Sequence, residues 1–588
     1  MEERFSLGTE VEDKIQRWLK HPFDLQTQKE IKHLRKTDPQ KLFDAFYTDL
    51  SFGTAGLRGL MGVGSNRINR YTIARATQGL ANYLLKIHPQ NSLKVAIAYD
   101  SRHGSELFAQ EAARVLAGNG IAVLLSYKLR PTPFLSFICR HHRCAAGIMI
   151  TASHNPPEYN GYKIYWSDGG QVVSPHDQGI MDEVNKVADI EAVYTADLSD
   201  SLIEYLTPSD DRAYIETLAA LQNLPQETSV NGALLSVVFS NLHGTGITLL
   251  PDALNSWGFT TLHHVEKQKL PSPDFPTVTS PNPELKDALQ LGIDTLLRVH
   301  GDLLLATDPD ADRVGVVSLH KNTPVVFNGN QIATLCLYHL LTTLDKQKRL
   351  TPQHTVISTI VTTPLLQTLC NHYHITYMET LTGFKYIGEK MREFESAPTK
   401  NTFLFGAEES YGYLYGTHVH DKDAIIASCL LCELALEQKK QGLSLLDLLY
   451  TIYQRFGVYQ EDQLSISLPD EEKSQRKIAE ALARLRATPP QRLCEQKVIS
   501  VSDYSLSAKT DLVTNTTSLL SLPKSNVLTY DCEDGSRFVI RPSGTEPKLK
   551  IYGMIRQDCE ESVATTMDMC HDLLVDRLQT IRKSLLRL

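Results

Sequence analysis

A serine and a histidine stand side by side at Ser153 and His154, just after an apolar run that closes at Ile150. The run Ala146–Ile150 reads as a buried strand, and Asn155-Pro156-Pro157 forbids a helix behind it. The hydroxyl is thus expected on a stiff loop at the carboxyl end of a strand, where open α/β sheets place their chemistry. Ten residues on, Lys163 follows Asn160-Gly161 in a second short apolar run. A second chemical stretch lies at Leu303–Arg313, where an apolar strand runs into Thr307-Asp308-Pro309-Asp310-Ala311-Asp312-Arg313. In extended backbone alternate residues share a face, so Asp308, Asp310 and Asp312 are expected to converge there. Three carboxylates on one side repel unless a hard cation sits between them, and Mg²⁺ is the natural occupant. An EF-hand is excluded, because Arg313 stands where that loop needs glycine and Leu319 where it needs glutamate.

Three further stretches carry weaker signals. Phe52-Gly53-Thr54-Ala55-Gly56-Leu57-Arg58-Gly59 reads as a glycine-rich loop with one arginine able to grip phosphate. Gly406-Ala407-Glu408-Glu409-Ser410-Tyr411-Gly412 ends an apolar strand with groups suited to sugar hydroxyls. Arg541-Pro542-Ser543-Gly544-Thr545 joins a fork-shaped cation to two hydroxyls and free backbone N–H groups, the makings of a phosphate pocket. His418, His420, Lys422 and Asp423, taken singly, read as ordinary surface. Gly244-Thr245-Gly246 lacks dinucleotide-binding spacing and reads as a structural turn.

The elements that must hold these groups follow from the rest of the chain. At 588 residues it is too long for one core. Composition is that of a globular protein, 42% hydrophobic and 22% charged with mean hydropathy −0.21. A net charge of −9 argues against nucleic-acid or anionic-membrane binding, and no apolar run approaches a membrane span. The N-terminus lacks a signal-peptide core, and ten scattered cysteines fit reduced thiols, so a cytoplasmic location is expected. Cys429 and Cys432 read as part of a buried helix stripe. Lys94–Asp100 and Ile121–Ser126 read as strands around a helix over 105–118 with Ser105 as its N-cap, and strands recur at 234–240, 355–361 and 549–552. That alternation indicates parallel α/β architecture.

Taken together and in their order along the chain, the stretches 151–156, 308–313, 406–410 and 541–545 resemble the four motifs of the α-D-phosphohexomutase family, the phosphoglucomutase and phosphomannomutase enzymes. The resemblance covers nearly everything from about 50 to 588. It implies an α/β protein of four domains around a central cleft, three similar α/β units and a smaller α+β C-terminal domain. The expected boundaries are a helical extension over 1–45, a phosphoserine-loop domain over 46–207, a metal-loop domain over 208–325, a sugar-loop domain over 326–455 and a phosphate-binding domain over 456–588. It also implies that Ser153 carries a phosphoryl group, one oxygen of which joins Asp308, Asp310 and Asp312 on Mg²⁺. Lys163 matches the family's proton-transfer residue, with Arg58, His154 and Arg313 steadying charge. Glu408, Ser410, Lys422, Thr382, Gly383 and Lys385 would meet the sugar, and Arg541, Ser543, Gly544 and Thr545 its far phosphate. Glucose 1,6-bisphosphate is the implied intermediate and activator, with a sugar phosphate as partner and a monomer or homodimer as assembly. Thr382-Gly383-Phe384-Lys385 lacks the histidine of dual-specificity members and leans toward glucose phosphates. Phosphomannomutase, phosphopentomutase and glucose-1,6-bisphosphate synthase activities stay open as alternatives. So do a metal-dependent phosphatase and a non-catalytic sugar-phosphate binding protein.

Overall fold

A computed structural model describes residues 8–50, 56–89, 92–396, 401–467, 471–542 and 548–587. The chain forms two compact units interleaved in sequence. The first takes residues 1–319, 387–399 and 410–437, and the second takes 320–386, 400–409 and 438–588.

In the first unit, helices α1 (Thr9–Trp18), α2 (Leu25–Thr37) and α3 (Pro39–Phe46) form the N-terminal extension. Their apolar faces close a small core around Ile15, Trp18, Ile31, Leu42 and Phe46. The main sheet contains β1 (Gly56–Leu60), β2 (Lys94–Tyr99), β3 (Ala122–Leu125), β4 (Ala146–Ile150), β5 (Tyr159–Trp166) and β6 (Ile203–Tyr205), in the order β1-β5-β4-β2-β3-β6. Strands β4, β2, β3 and β6 run parallel, whereas β1 and β5 enter antiparallel. Helices α4 (Arg70–Ile87), α5 (Ser105–Gly118) and α6 (Thr132–His141) connect and cover it. Because β4 and β2 are covered on both faces, they read as continuous apolar runs rather than alternating ones. Past helix α7 (Pro208–Ala219), a second sheet sets β7 (Val237–Ser240) between β8 (Leu262–His264) and β9 (Leu303–Thr307), all parallel, with β10 (Val314–His320) antiparallel to β9.

The second unit contains parallel strands β11 (His354–Thr359), β12 (Thr376–Thr380) and β13 (Thr402–Glu408), with β11 between the other two. Its C-terminal sheet is antiparallel, in the order β14 (Val458–Ser467), β18 (Lys548–Gln557), β17 (Arg537–Pro542), β16 (Leu528–Cys532) and β15 (Gln496–Asp503).

Three local expectations change. Ser105 does not cap α5: Gly104, at φ 74°, takes the N-cap position, and the Ser105 hydroxyl instead donates to Asp100 at 2.7 Å. Half of the expected glycine-rich loop is strand β1, with Arg58 facing Gly161 across the ladder. The remainder of that loop up to Ala55 lies outside the described residues. The aspartates converge on a turn rather than a strand, since residues 308–313 join antiparallel β9 and β10 and Ala311 adopts φ 50°.

Candidate active site

The centre of the first unit's charge cluster is Ser153, almost fully buried in the turn after β4. Its φ of 52° is a left-handed value that non-glycine residues seldom adopt. The turn is pinned from below by Arg102, which sequence reading had passed over. The Arg102 guanidinium donates to the carbonyls of Ser153, Asn155, Pro156 and Tyr159, and its Nε lies 3.3 Å from Asp100. The carbonyls of Ser153, Asn155 and Pro156, which belong to no ladder or helix, thereby gain a charge-assisted partner, as does that of Tyr159 at the start of β5. No local pattern marks Arg102, because its partners lie some fifty residues away.

The Ser153 hydroxyl donates to Asp308 Oδ2 at 2.8 Å and lies 3.1 Å from His154 Nδ1. Burial, then the charges of Arg313 and Arg58, hold the His154 imidazole well below its ordinary value, so it is neutral at pH 7. Asp308, Asp310 and Asp312 are all buried, with ligand oxygens within 4.8 Å of one another. Asp308 Oδ1 accepts the backbone N–H groups of Asp312 and Arg313. Asp310 Oδ2 accepts from the Thr132 hydroxyl and from Lys163 Nζ, each at 2.8 Å. Lys422 Nζ reaches Asp312 Oδ2 at 3.2 Å. Burial and then the charges of Asp310 and Asp312 push Asp308 well up. Burial works against Asp310 as well, but Lys163 and the hydrogen bonds of its neighbours together outweigh it and hold that carboxyl down.

Asp310 Oδ1 and Asp312 Oδ1 are buried and accept no hydrogen bond. Sealed carboxylate oxygens without a donor cost free energy unless a cation joins them. The all-oxygen donor set fits a hard divalent ion. The turn is braced from behind by Gly244-Thr245, since Thr245 donates its N–H and hydroxyl to the Pro309 carbonyl at 2.7 and 2.8 Å. A Cβ on Gly244 would stand 2.3 Å from the Pro309 Cα, which is why a glycine sits there.

Strand register sets the cations around this centre. Lys163 on β5 lies opposite Met149 of β4 and Gly56 of β1. Its ammonium lies 2.8 Å from Asp310 and 3.6 Å from Asp312. Arg58 on β1 reaches solvent and feels the charges of all three aspartates and of Arg313. Arg313 in turn pairs with Glu284. The 418–423 loop is not surface, as its sequence suggested: His420, Asp421, Lys422 and Asp423 are buried. His420 meets Asp168 and Glu395, and Asp423 accepts from Tyr214 at 2.6 Å. Asp421 accepts from Tyr165 and Gln171 and lies 3.3 Å from Lys422 Nζ. Gly412 leaves room for the Lys422 stem, because a Cβ there would stand 2.0 Å from the Lys422 Cδ. Ser410, half-buried, precedes Tyr411, whose carbonyl accepts from Val314 N–H at 3.1 Å. The first unit therefore gathers Ser153, His154, Lys163, Arg58, the three aspartates, Arg313 and Lys422.

The second unit holds a separate group. Glu408, buried at the end of β13, accepts the Gly383 N–H at 2.9 Å, with Gly383 at φ 123°. Thr382 precedes that glycine, and the ammonium of Lys385 lies 5.0 Å from the Tyr386 ring centroid. Arg541 is the next-to-last residue of β17, and its charge acts on the Tyr552 hydroxyl. Ser543, Gly544 and Thr545 lie outside the described residues.

Comparison with known families supplies the decisive match. The phosphoglucomutase/phosphomannomutase α/β/α domains I, II and III match residues 49–191, 212–321 and 328–456, and the C-terminal domain of the same family matches 469–553. The chain belongs to the phosphoglucomutase/phosphomannomutase family. It is an enzyme of the phosphotransferase-type isomerase class, with the family's four domains. Among this family's members, a phosphoglucomutase of Staphylococcus aureus is 38% identical over 511 residues, 87% of this chain and 90% of its own. One from Staphylococcus epidermidis is 37% identical over 525 residues, 88% of this chain and 92% of its own. The fold is shared with the open form of parafusin, a phosphoglucomutase of Paramecium, at TM-score 0.65 and 18% identity over 91% of this chain and 96% of that one. A phosphoglucomutase/phosphomannomutase family protein of Burkholderia thailandensis matches at TM-score 0.62 and 18% identity over 89% and 96%. No helix among the described residues is long and apolar enough to cross a membrane.

Proposed function

We propose that this family member interconverts glucose 1-phosphate and glucose 6-phosphate through a phosphoserine at Ser153 and a glucose 1,6-bisphosphate intermediate. The observation that carries this reading is the Ser153 hydroxyl 2.8 Å from Asp308, beside two sealed carboxylate oxygens that accept no hydrogen bond. Asp308, Asp310 and Asp312, with an oxygen of phosphorylated Ser153, would hold Mg²⁺, which supplies charge neutralisation for phosphoryl transfer. Arg102 holds the backbone of the serine turn in place. Arg58, Arg313 and Lys422 bring positive charge to the reacting end, where a dianionic phosphoryl group would otherwise face three carboxylates. Lys163 holds the proton exchanged with the sugar hydroxyl that accepts the phosphoryl group. A phosphate ester of serine hydrolyses slowly, so the loaded enzyme can wait for substrate.

Glu408 and Ser410 are assigned to sugar hydroxyls common to both substrate orientations. Arg541, with Ser543, Gly544 and Thr545, is assigned to the phosphate at the far end. The glucose assignment rests on the names of the 37–38% identical relatives and on the aromatic-lysine form of Thr382-Gly383-Phe384-Lys385.

Intact-mass and peptide spectrometry of the purified protein should find one phosphate, on Ser153. Ser153→Ala should lose both that phosphate and at least about 10³-fold in turnover, the scale seen when a nucleophile is deleted. A coupled assay with glucose, mannose and ribose 1-phosphates, with and without Mg²⁺ and glucose 1,6-bisphosphate, should rank glucose first. Turnover unchanged in Ser153→Ala would sink the mechanism, and a mannose or ribose preference would sink the substrate assignment alone.

A further inference from the structure

A second cluster of metal-ligating side chains stands in the first unit, where the end of α6 meets the start of α7. Helix α6 ends at His141 and is followed by its C-cap His142, while Asp210 lies in the first turn of α7. His142 Nε2 and Asp210 Oδ1 are 2.7 Å apart. One ligand atom from each of His141, His142 and Asp210 lies within 4.8 Å of the others.

The three side chains are held in place by their neighbours. The His141 ring stacks on Phe137 with centroids 5.1 Å apart and planes 19° from parallel. It meets His142 edge-on at 4.9 Å. Asp210 Oδ2 is occupied by the Thr207 N–H at 2.7 Å and the Thr207 hydroxyl at 3.0 Å, which leaves Oδ1 to the histidines. Burial alone would raise the Asp210 carboxyl, but Thr207 and His142 outweigh it and keep it ionised. The C-terminal end of a helix also carries partial negative charge, which favours a cation beside His141.

We propose that His141, His142 and Asp210 form a site for a borderline divalent ion of the zinc class, distinct from the aspartate trio. Two imidazoles and a carboxylate suit Zn²⁺, Co²⁺ or Ni²⁺, whereas Mg²⁺ prefers oxygen ligands. Bond lengths of about 2.0–2.2 Å bring ligand atoms within about 4.2 Å of one another, so small ring rotations close the set. Binding takes the lone pair of His142 Nε2, so the neutral ring carries its one proton on Nδ1 and Asp210 Oδ1 turns from Nε2 to the ion. Because His141 is exposed and His142 half-buried, water completes the coordination shell. The bound ion ties α6 to α7. The other end of α6 carries Thr132, whose hydroxyl and N–H donate to Asp310.

The test uses full-length protein, with excess Mg²⁺ present to fill the trio, and Co²⁺ as the probe. Wild type should retain one equivalent of Co²⁺ on dialysis and show a visible absorption band from nitrogen ligation. His142→Ala and His141→Ala should each lose both the equivalent and the band while keeping far-UV dichroism and Mg²⁺-supported turnover. Should His142→Ala not fold, exposed His141 still gives the readout. Zn²⁺ should raise the unfolding midpoint of wild type and of neither variant. Retention of the equivalent in both variants, or no Co²⁺ held by wild type against Mg²⁺, would overturn the assignment.

Discussion

At the scale of the residue, the cluster depends on side chains that touch the reacting groups and on others that hold those side chains still. Arg102 belongs to the second kind, with four carbonyls of the 153–159 turn on one guanidinium. Lysine keeps the charge but not the planar fork. Arg102→Lys should therefore lower kcat by about 10²-fold, the cost of roughly 1 Å of misplacement, with KM little changed. Steady-state kinetics beside a dichroism spectrum checks this. Lys422 owes its position to the missing side chain at Gly412. In Gly412→Ala the new methyl group overlaps the lysine stem and pushes its ammonium off Asp312. Turnover should fall at least about tenfold while the melting midpoint shifts little, as activity assays and calorimetry on one preparation would show.

At the scale of the element, α6 acts as a strut under the carboxylate turn. Thr132 at its first turn donates to Asp310 at 2.8 Å through its hydroxyl and again through its backbone N–H to the Asp310 carbonyl. Thr132→Val keeps the shape and deletes the hydroxyl. The apparent affinity for Mg²⁺ should drop about 10–100-fold, the usual cost of losing an outer-shell partner, and Mg²⁺ activation curves would measure it. This strut was not legible in the sequence, because Thr132 and Asp310 lie 178 positions apart and neither α6 nor its flanks carries a motif. What was legible shares one property: a short apolar run followed at once by groups that strands seldom end on. That applies to Ile150 before Ser153, Ala306 before the aspartates and Phe405 before Glu408. The aspartates' convergence was expected for a different reason from the one observed. Strand alternation would have spread them along a ladder, whereas a turn with Ala311 left-handed folds them onto one point. The 418–423 loop was misjudged because its charged residues look solvated until Tyr165, Tyr214 and Gln171 are known to receive them.

At the scale of the whole molecule, stability depends on pH through a group far from Ser153 in sequence. Glu461 on β14 is half-buried as a residue, but its Oε1 is sealed without a hydrogen-bond partner. Burial pushes its carboxyl up to about 7, with the Thr363 hydroxyl only partly countering. In the unfolded chain the same group titrates near its ordinary 4.5. Between those values the folded state binds more protons, so stability is greatest below about pH 4.5 as far as this group is concerned. It falls as pH rises to about 7 and is level above that. The penalty at pH 8 is on the order of 3 kcal/mol. Glu461→Gln should remove it, raising the denaturation midpoint at pH 8 and flattening the slope between pH 5 and 7. Urea titrations at a series of pH values would show both. The interleaving of the two units sets the order of events during synthesis. The fragment 410–437 completes the first unit and brings Lys422 to Asp312, yet the chain must pass through residues 320–386 and 400–409 before delivering it. A ribosome releasing this protein from its N-terminus thus holds an unfinished charge cluster until Lys422 has emerged. Messages cut short before that codon encode a serine loop and an acidic turn without the lysine that pairs with Asp312.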